Sequence, residues 1–273
     1  MNLLWVLLIL TGAVAVAVSA MLFVRRSAPE GSYFEDGDRA SGVFGVLATG
    51  FAIFAGFVIF LAFTTYDQSR SGAEAEALVV VQQFQTAQFL PANVRPRLAG
   101  ELVCYGRSVV SQEWPEMQAG TAGGINQWSV ALFTTLKLAK TTTSEEEAAY
   151  GKWFDQTSER EEARRDRVHG AAGIIPNSIW LVLFFSGAVI FSFMLFFADS
   201  GERAVSQAML IGSATAVVTT TLLAIQVLDN PYRPGVGSLQ PVAMERSLVI
   251  LDQARDVVND TAPLPCDEEG APL

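Results

Sequence analysis

Histidine occurs once, as His169, and cysteine twice, as Cys104 and Cys266, far apart in the chain. That inventory excludes much catalytic chemistry. A nucleophile–histidine relay needs its base within hydrogen-bond reach, and a zinc site needs three or four clustered ligands. Neither can be assembled here. Gly120-Thr121-Ala122-Gly123-Gly124 is a flexible linker, without the strand and helix that flank a nucleotide fingerprint. Basic residues are in the minority, 18 Lys and Arg against 28 Asp and Glu, so no basic footprint for nucleic acid exists. The chain is therefore read as not an enzyme, with no catalytic residues, no cofactor, no metal site and no nucleic-acid partner. Two thiols cannot make a disulfide framework, and both are read as free, which suits a reducing compartment. His169 sits where a pH sensor could act, but a plain surface histidine is the better reading.

Charge is also missing from four long stretches. Residues 1–24, 40–66, 176–198 and 204–228 contain no Asp, Glu, Lys, Arg or His. Each can cross about 30 Å of hydrocarbon, which takes roughly 20 helical residues. Backbone groups in a bilayer must satisfy one another, so these are helices, at about 3–24, 42–65, 177–198 and 204–228. Val18-Ser19-Ala20 would suit a signal peptidase, but no positive residue precedes the first run and the run is long for a signal core. We read it as a retained anchor. Proton-coupled transporters place ionisable groups inside their spans, so this emptiness weighs against that class.

The polar sequence between the second and third spans also reads as helical. Residues 73–89 are rich in helix formers and stop at Leu90-Pro91. Residues 92–117 carry Leu98, Leu102, Tyr105, Val109 and Trp114 at helical spacing. A third pattern covers 125–140. Ser144 with Glu147 three residues on signals a capped start to a long helix ending near His169. Residues 160–167 are dense in both signs of charge and read as a solvated face. A tail helix covers 241–259. The acidic end, Asp267-Glu268-Glu269, reads as solvated.

The expected architecture is all-α: four transmembrane helices, a helical soluble insert between the second and third, and an amphipathic tail helix. Its domains are 1–66, the first helix pair; 67–173, the soluble insert; 174–228, the second pair; and 229–273, the tail packing on the insert. An even number of spans puts both termini and the insert on one side. Arg25-Arg26 would hold the first loop in the cytoplasm, whereas Arg70, Arg164, Arg165, Arg167 and Arg233 argue the reverse. We read insert and termini as cytoplasmic, in a bacterial inner membrane.

The second span has two faces. Gly42, Gly45, Thr49, Ala52 and Gly56 recur at three- and four-residue intervals, a small-residue face that lets another helix approach closely. Phe44, Leu47, Phe51, Phe54, Val58 and Leu61 lie opposite, and Phe60 and Phe63 break the division near the far end. After the fourth span, Asp229, Asn230, Pro231 and Gly235 form a fixed turn whose polar side chains can bond freed backbone groups. Glu74 and Glu76, just past the second span, could ring a vestibule, or simply favour a helix start.

Glu74-Ala75-Glu76-Ala77, Leu90-Pro91, Tyr105 with Glu113-Trp114, and Leu228-Asp229-Asn230-Pro231-Tyr232 with Gly235 occur in an order and spacing that resemble the bestrophin-like family of bacterial membrane proteins. Bestrophins proper share the plan of two spans, helical insert, two spans and a tail, and are pentameric anion channels. The resemblance implies a homo-oligomeric pore, a pentamer on that pattern, lined by the second span. In that picture Phe44, Phe51, Phe54 and Val58 are pore-lining candidates forming an apolar constriction, while Gly42, Gly45, Thr49, Ala52 and Gly56 pack against a helix. The opposite assignment, small residues lining a wider pore, is also open. The bestrophin calcium clasp uses an acidic cluster after the last span, and only Asp229 stands there. The expected function is an anion-conducting channel. The alternative is a non-conducting scaffold whose helical domain binds a protein partner.

Overall fold

The structure is a computed structural model that describes residues 2–121 and 124–273. Ala122 and Gly123 of the glycine linker lie outside the described residues. The α-helices are α1 (Leu3–Arg25), α2 (Gly37–Ala87), α3 (Arg95–Ser108), α4 (Trp114–Gln118), α5 (Gln127–Leu136), α6 (Ser144–His169), α7 (Asn177–Leu195), α8 (Ala204–Asp229) and α9 (Val242–Val257). A π-turn at Val109–Glu113 joins α3 to α4. Among the described residues there is no strand, only an isolated bridge between Cys266 and Pro272. The fold is all-α, and α1, α2, α7 and α8 are long and apolar enough to cross a membrane.

The chain forms two compact units. The first comprises residues up to Thr64, Ile174–Asp229 and Pro234–Gly237. Here α1 packs on α8 through Ala17, Met21 and Ile211. Gly212 of α8 faces Val14 and Val18 of α1, and a Cβ there would meet them at ordinary contact distances of 3.5 and 3.7 Å. A second cluster joins α2, α7 and α8 through Phe51, Ala55, Val58, Leu183, Ile190 and Ile225. At one end, Arg25 donates to the carbonyls of Asp199 and Ser200, both at 3.1 Å. Asp199 Oδ1 accepts from Gly31 N at 3.0 Å and Gly201 N at 2.7 Å. The tight hairpin after α7 and the loop after α1 are thereby tied together.

The second unit comprises Thr65–Gly173, Asn230–Arg233 and Ser238–Leu273. Its core gathers Phe84, Leu98, Leu102, Tyr105, Trp114, Trp128 and Trp153. Three features depart from the sequence reading. The second span and the helix expected at 73–89 are one continuous helix of 51 residues, because Asp67–Gly72 holds no proline and its polar residues are tolerated in a helix. The α6 capping box uses Thr143 and Glu146, one residue earlier than expected. Cys104 and Cys266 are not free: they form a disulfide with Cα atoms 5.8 Å apart. The acidic end is solvated as expected, with Asp267, Glu268 and Glu269 exposed, while its backbone is anchored to the unit. The carbonyl of Gly270 accepts from Trp128 Nε1 at 2.7 Å, and that of Asp267 from Arg107 at 2.9 Å.

Candidate functional site

The two faces of α2 have unequal company. Phe51 and Val58 are buried, and Phe44 and Phe54 are half-buried beside them, against α7 and α8. Gly42, Gly45, Thr49, Ala52 and Gly56 are exposed, and a Cβ built on any of the three glycines would meet nothing within 4 Å. Within the chain, then, the phenyl face packs on α7 and α8 and the small-residue face is exposed. The open face continues beyond Gly56 at intervals of four and three to Phe60 and Phe63, exposed by 63% and 52%. These two residues, which broke the sequence pattern, are where the open face turns bulky.

Asp229 ends α8, is buried, and its Oδ1 accepts from the backbone N–H groups of Ile174 and Ile175, each at 2.9 Å. The sequence expected such a bond to freed backbone; the groups served are those leading into α7 rather than those of its own helix end. Within the second unit, Leu239 N donates to Pro231 O at 2.8 Å and the Tyr232 ring packs edge-on to Trp114 at 5.3 Å. Asn230 and Gly235 are each engaged by an interaction of their own.

A buried ionic cluster is what sequence reasoning missed. Arg167 (1% exposed) forms a two-pronged pair with Glu76 (0%) and reaches Glu113 at 2.5 Å. Tyr105 OH donates to Glu76, Asn126 Nδ2 to Glu113 Oε1 at 2.7 Å, and Arg164 to Glu113 at 3.2 Å. Arg160 lies over the Tyr105 ring at 4.8 Å and donates to Gln83 Oε1 at 2.7 Å. Burial, and then the Glu76 charge, push the Tyr105 phenol well above its ordinary value. Burial alone would raise Glu113, but the Arg167 and Arg164 charges outweigh it and hold that carboxyl below the usual range. The cluster is charge-paired, and it bonds α2, the π-turn and α6 into one block.

The π-turn makes this geometry possible. Tyr105 and Trp114 would sit about 180° apart on a straight α-helix. One extra residue in the turn brings them to within about 80°, so both face the buried arginines. The signal for the cluster was present in α6, where Arg160, Ala163 and Arg167 recur at helical spacing and all are buried. Glu74, by contrast, is exposed and paired with Arg70 at 3.1 Å, and His169 is exposed. Among the described residues no cluster of His, Cys, Asp and Glu could hold a metal ion.

A sequence profile described as the bestrophin-like domain matches residues 11–244. No curated protein matches in sequence. The fold resembles crystal structures of a bacterial bestrophin homologue from Klebsiella pneumoniae. One single-site variant gives a TM-score of 0.69 at 14% identity, covering 89% of this chain and 98% of that one. The form phased with zinc gives 0.66 at 15% identity, with the same coverage. At such identities the likeness speaks for the fold alone.

Proposed function

The chain belongs to the bestrophin-like family, and from that premise we propose that it assembles with copies of itself, as a pentamer, into an anion-conducting channel lined by α2. The observation that carries this reading is the open face of α2. It is free of charge from Gly42 to Phe63 and is left uncovered by the subunit's own helices. In this reading Gly42, Gly45, Thr49, Ala52 and Gly56 border a wide stretch of pore. Phe60 and Phe63 then narrow it to an apolar ring that gates by dewetting. An apolar ring favours ions that shed water cheaply, which suits large monovalent anions. Phe44, Phe51, Phe54 and Val58 hold the span in place from behind.

The test is the reversal potential of the purified protein in a planar bilayer under a KCl gradient. It should shift toward the chloride potential, and Phe60→Ala and Phe63→Ala should each raise the conductance. A shift toward the potassium potential overturns the anion assignment, and absence of current overturns the channel. Phe51→Ala should instead reduce the yield of folded protein, with the conductance of what survives unchanged.

A second reading has its own support. Phe89, Val130, Phe133 and Leu138 are exposed on the second unit, and they suit contact with a protein partner as well as with another copy. Copurification of one stoichiometric foreign subunit, together with absence of current, favours a scaffold. As to orientation, the buried disulfide supports placing the extramembrane unit on an oxidising side of the membrane. Arg25-Arg26 then face the cytoplasm, as their charge favours.

A further inference from the structure

The membrane unit contains a groove of 970 Å³ between α2 and α8, with α7 at its floor. Its walls are apolar along most of their length, with Phe44, Ala55, Ile190, Ile211 and Val218 among them. One end is different. Gln207 and Glu202 line it, and Gln207 is only 6% exposed. The Gln207 amide nitrogen donates to Asp199 O at 2.8 Å and Glu202 Oε2 at 3.1 Å. Its carbonyl oxygen Oε1 is buried and has no hydrogen-bond partner. A buried acceptor left unmade is costly, so the site asks for a donor. The neighbouring Glu202 carboxylate makes a cationic donor the favoured one.

We propose that this groove binds a phospholipid whose headgroup carries a primary ammonium. One acyl chain lies along the apolar walls, and the ammonium donates to Gln207 Oε1 beside Glu202. The Arg25 guanidinium, held nearby on the carbonyls of Ser200 and Glu202, offers positive charge to the phosphate. The groove is long enough for an acyl chain that crosses one leaflet. From Gln207 to Thr221, the lining residues of α8 span about 21 Å of helix. One leaflet's hydrocarbon is about 15 Å deep. Inside the four apolar runs a second copy offers this end only neutral donors, which leave the Glu202 carboxylate without a counter-charge; the cations that end its spans, Arg25, Arg39 and Arg203, are the competing partners that the experiment separates. Ala52 and Gly56 of α2 also line this groove, so a lipid held here removes those two residues from the proposed pore wall and leaves Gly42, Gly45 and Thr49 to border it.

The experiment is native mass spectrometry of the detergent-purified protein, titrated with dioleoylphosphatidylethanolamine and, separately, dioleoylphosphatidylcholine. The chains are identical, and the second headgroup has no N–H to donate. The ethanolamine lipid should be retained about tenfold more strongly, the scale of one charge-assisted hydrogen bond. Gln207→Leu should bring the ratio to about one. Ala214→Trp, which fills the groove and leaves the polar end intact, should reduce retention of both lipids, with the thermal midpoint of each variant showing that it is folded. Equal retention of the two lipids by the unmodified protein overturns the headgroup assignment. No retention of either, with a disulfide forming between protomers of Val217→Cys, overturns the proposal in favour of a second copy.

Discussion

Removing the Arg167 guanidinium would leave the buried Glu76 carboxylate without its ion pair and Glu113 with Arg164 as its remaining cation. Breaking a buried pair from one side typically costs about 3 to 5 kcal/mol, because the desolvated partner is stranded. Arg167→Met should therefore lower stability by about that amount, read from denaturant unfolding followed by tryptophan fluorescence. Adding Glu76→Leu should recover part of the loss, since it removes the stranded carboxylate; Glu113 keeps Arg164 and Asn126, and only the Tyr105 hydroxyl loses its acceptor. A cost under about 1 kcal/mol for Arg167→Met would show that the cluster does not hold the unit together. Single residues were also the least legible feature of the sequence. Charges at 160–167 read as a solvated face because most helical charges are solvated. Burial of Arg167 rests on Glu76 and Glu113, contributed by α2 and the π-turn, and burial of Arg160 on Gln83, Glu161 and the Tyr105 ring. Asp229 was easier to read, because an acidic residue directly before Asn-Pro at a helix end has few roles besides bonding backbone.

At the scale of elements, the four spans and the helical insert could be read from runs of apolar residues and from helical spacing. The division of labour on α2 could not. In water, the apolar face of a helix goes inward. In lipid both faces of α2 are apolar, so periodicity shows that two faces exist without showing which one meets the subunit. Continuity of α2 was also hidden, since Asp67–Gly72 looks like a linker. Gly72 explains its own presence: a Cβ there would lie 2.5 Å from Arg167 N and 2.7 Å from Ala163 O, so α2 and α6 cross at backbone contact. Replacing a mid-helix glycine by alanine ordinarily stabilises by about 1 kcal/mol. Gly72→Ala should do the opposite and destabilise by about 1 to 3 kcal/mol, the cost of overpacking against atoms that cannot swing aside. Circular dichroism melts give the sign directly, and a raised midpoint would mean that the two helices are not in such close contact.

For the whole molecule, the disulfide decides more than any count of charges. Cys104 and Cys266 are separated by 162 residues. Nothing in their spacing announces a bond, because the pairing depends on the tail folding back over α3, where a Cβ on Gly100 would lie 3.1 Å from Pro265. Such a crosslink typically contributes about 2 to 5 kcal/mol, largely by restricting the unfolded chain. The low end is expected here, since the spans between the two cysteines already restrict that chain. A stable disulfide forms where the surroundings are oxidising, so the second unit should lie outside the cytoplasm. In intact cells, a polyethylene-glycol maleimide added after denaturation should leave the protein unlabelled, and prior reduction should expose two reactive thiols. Reduction should also lower the thermal midpoint of the purified protein. Two thiols labelled without reduction would place the second unit on the reducing side, with Arg70, Arg164 and Arg165 setting the orientation. The charge reading would then override the disulfide, and the crosslink would have to be absent in the cell.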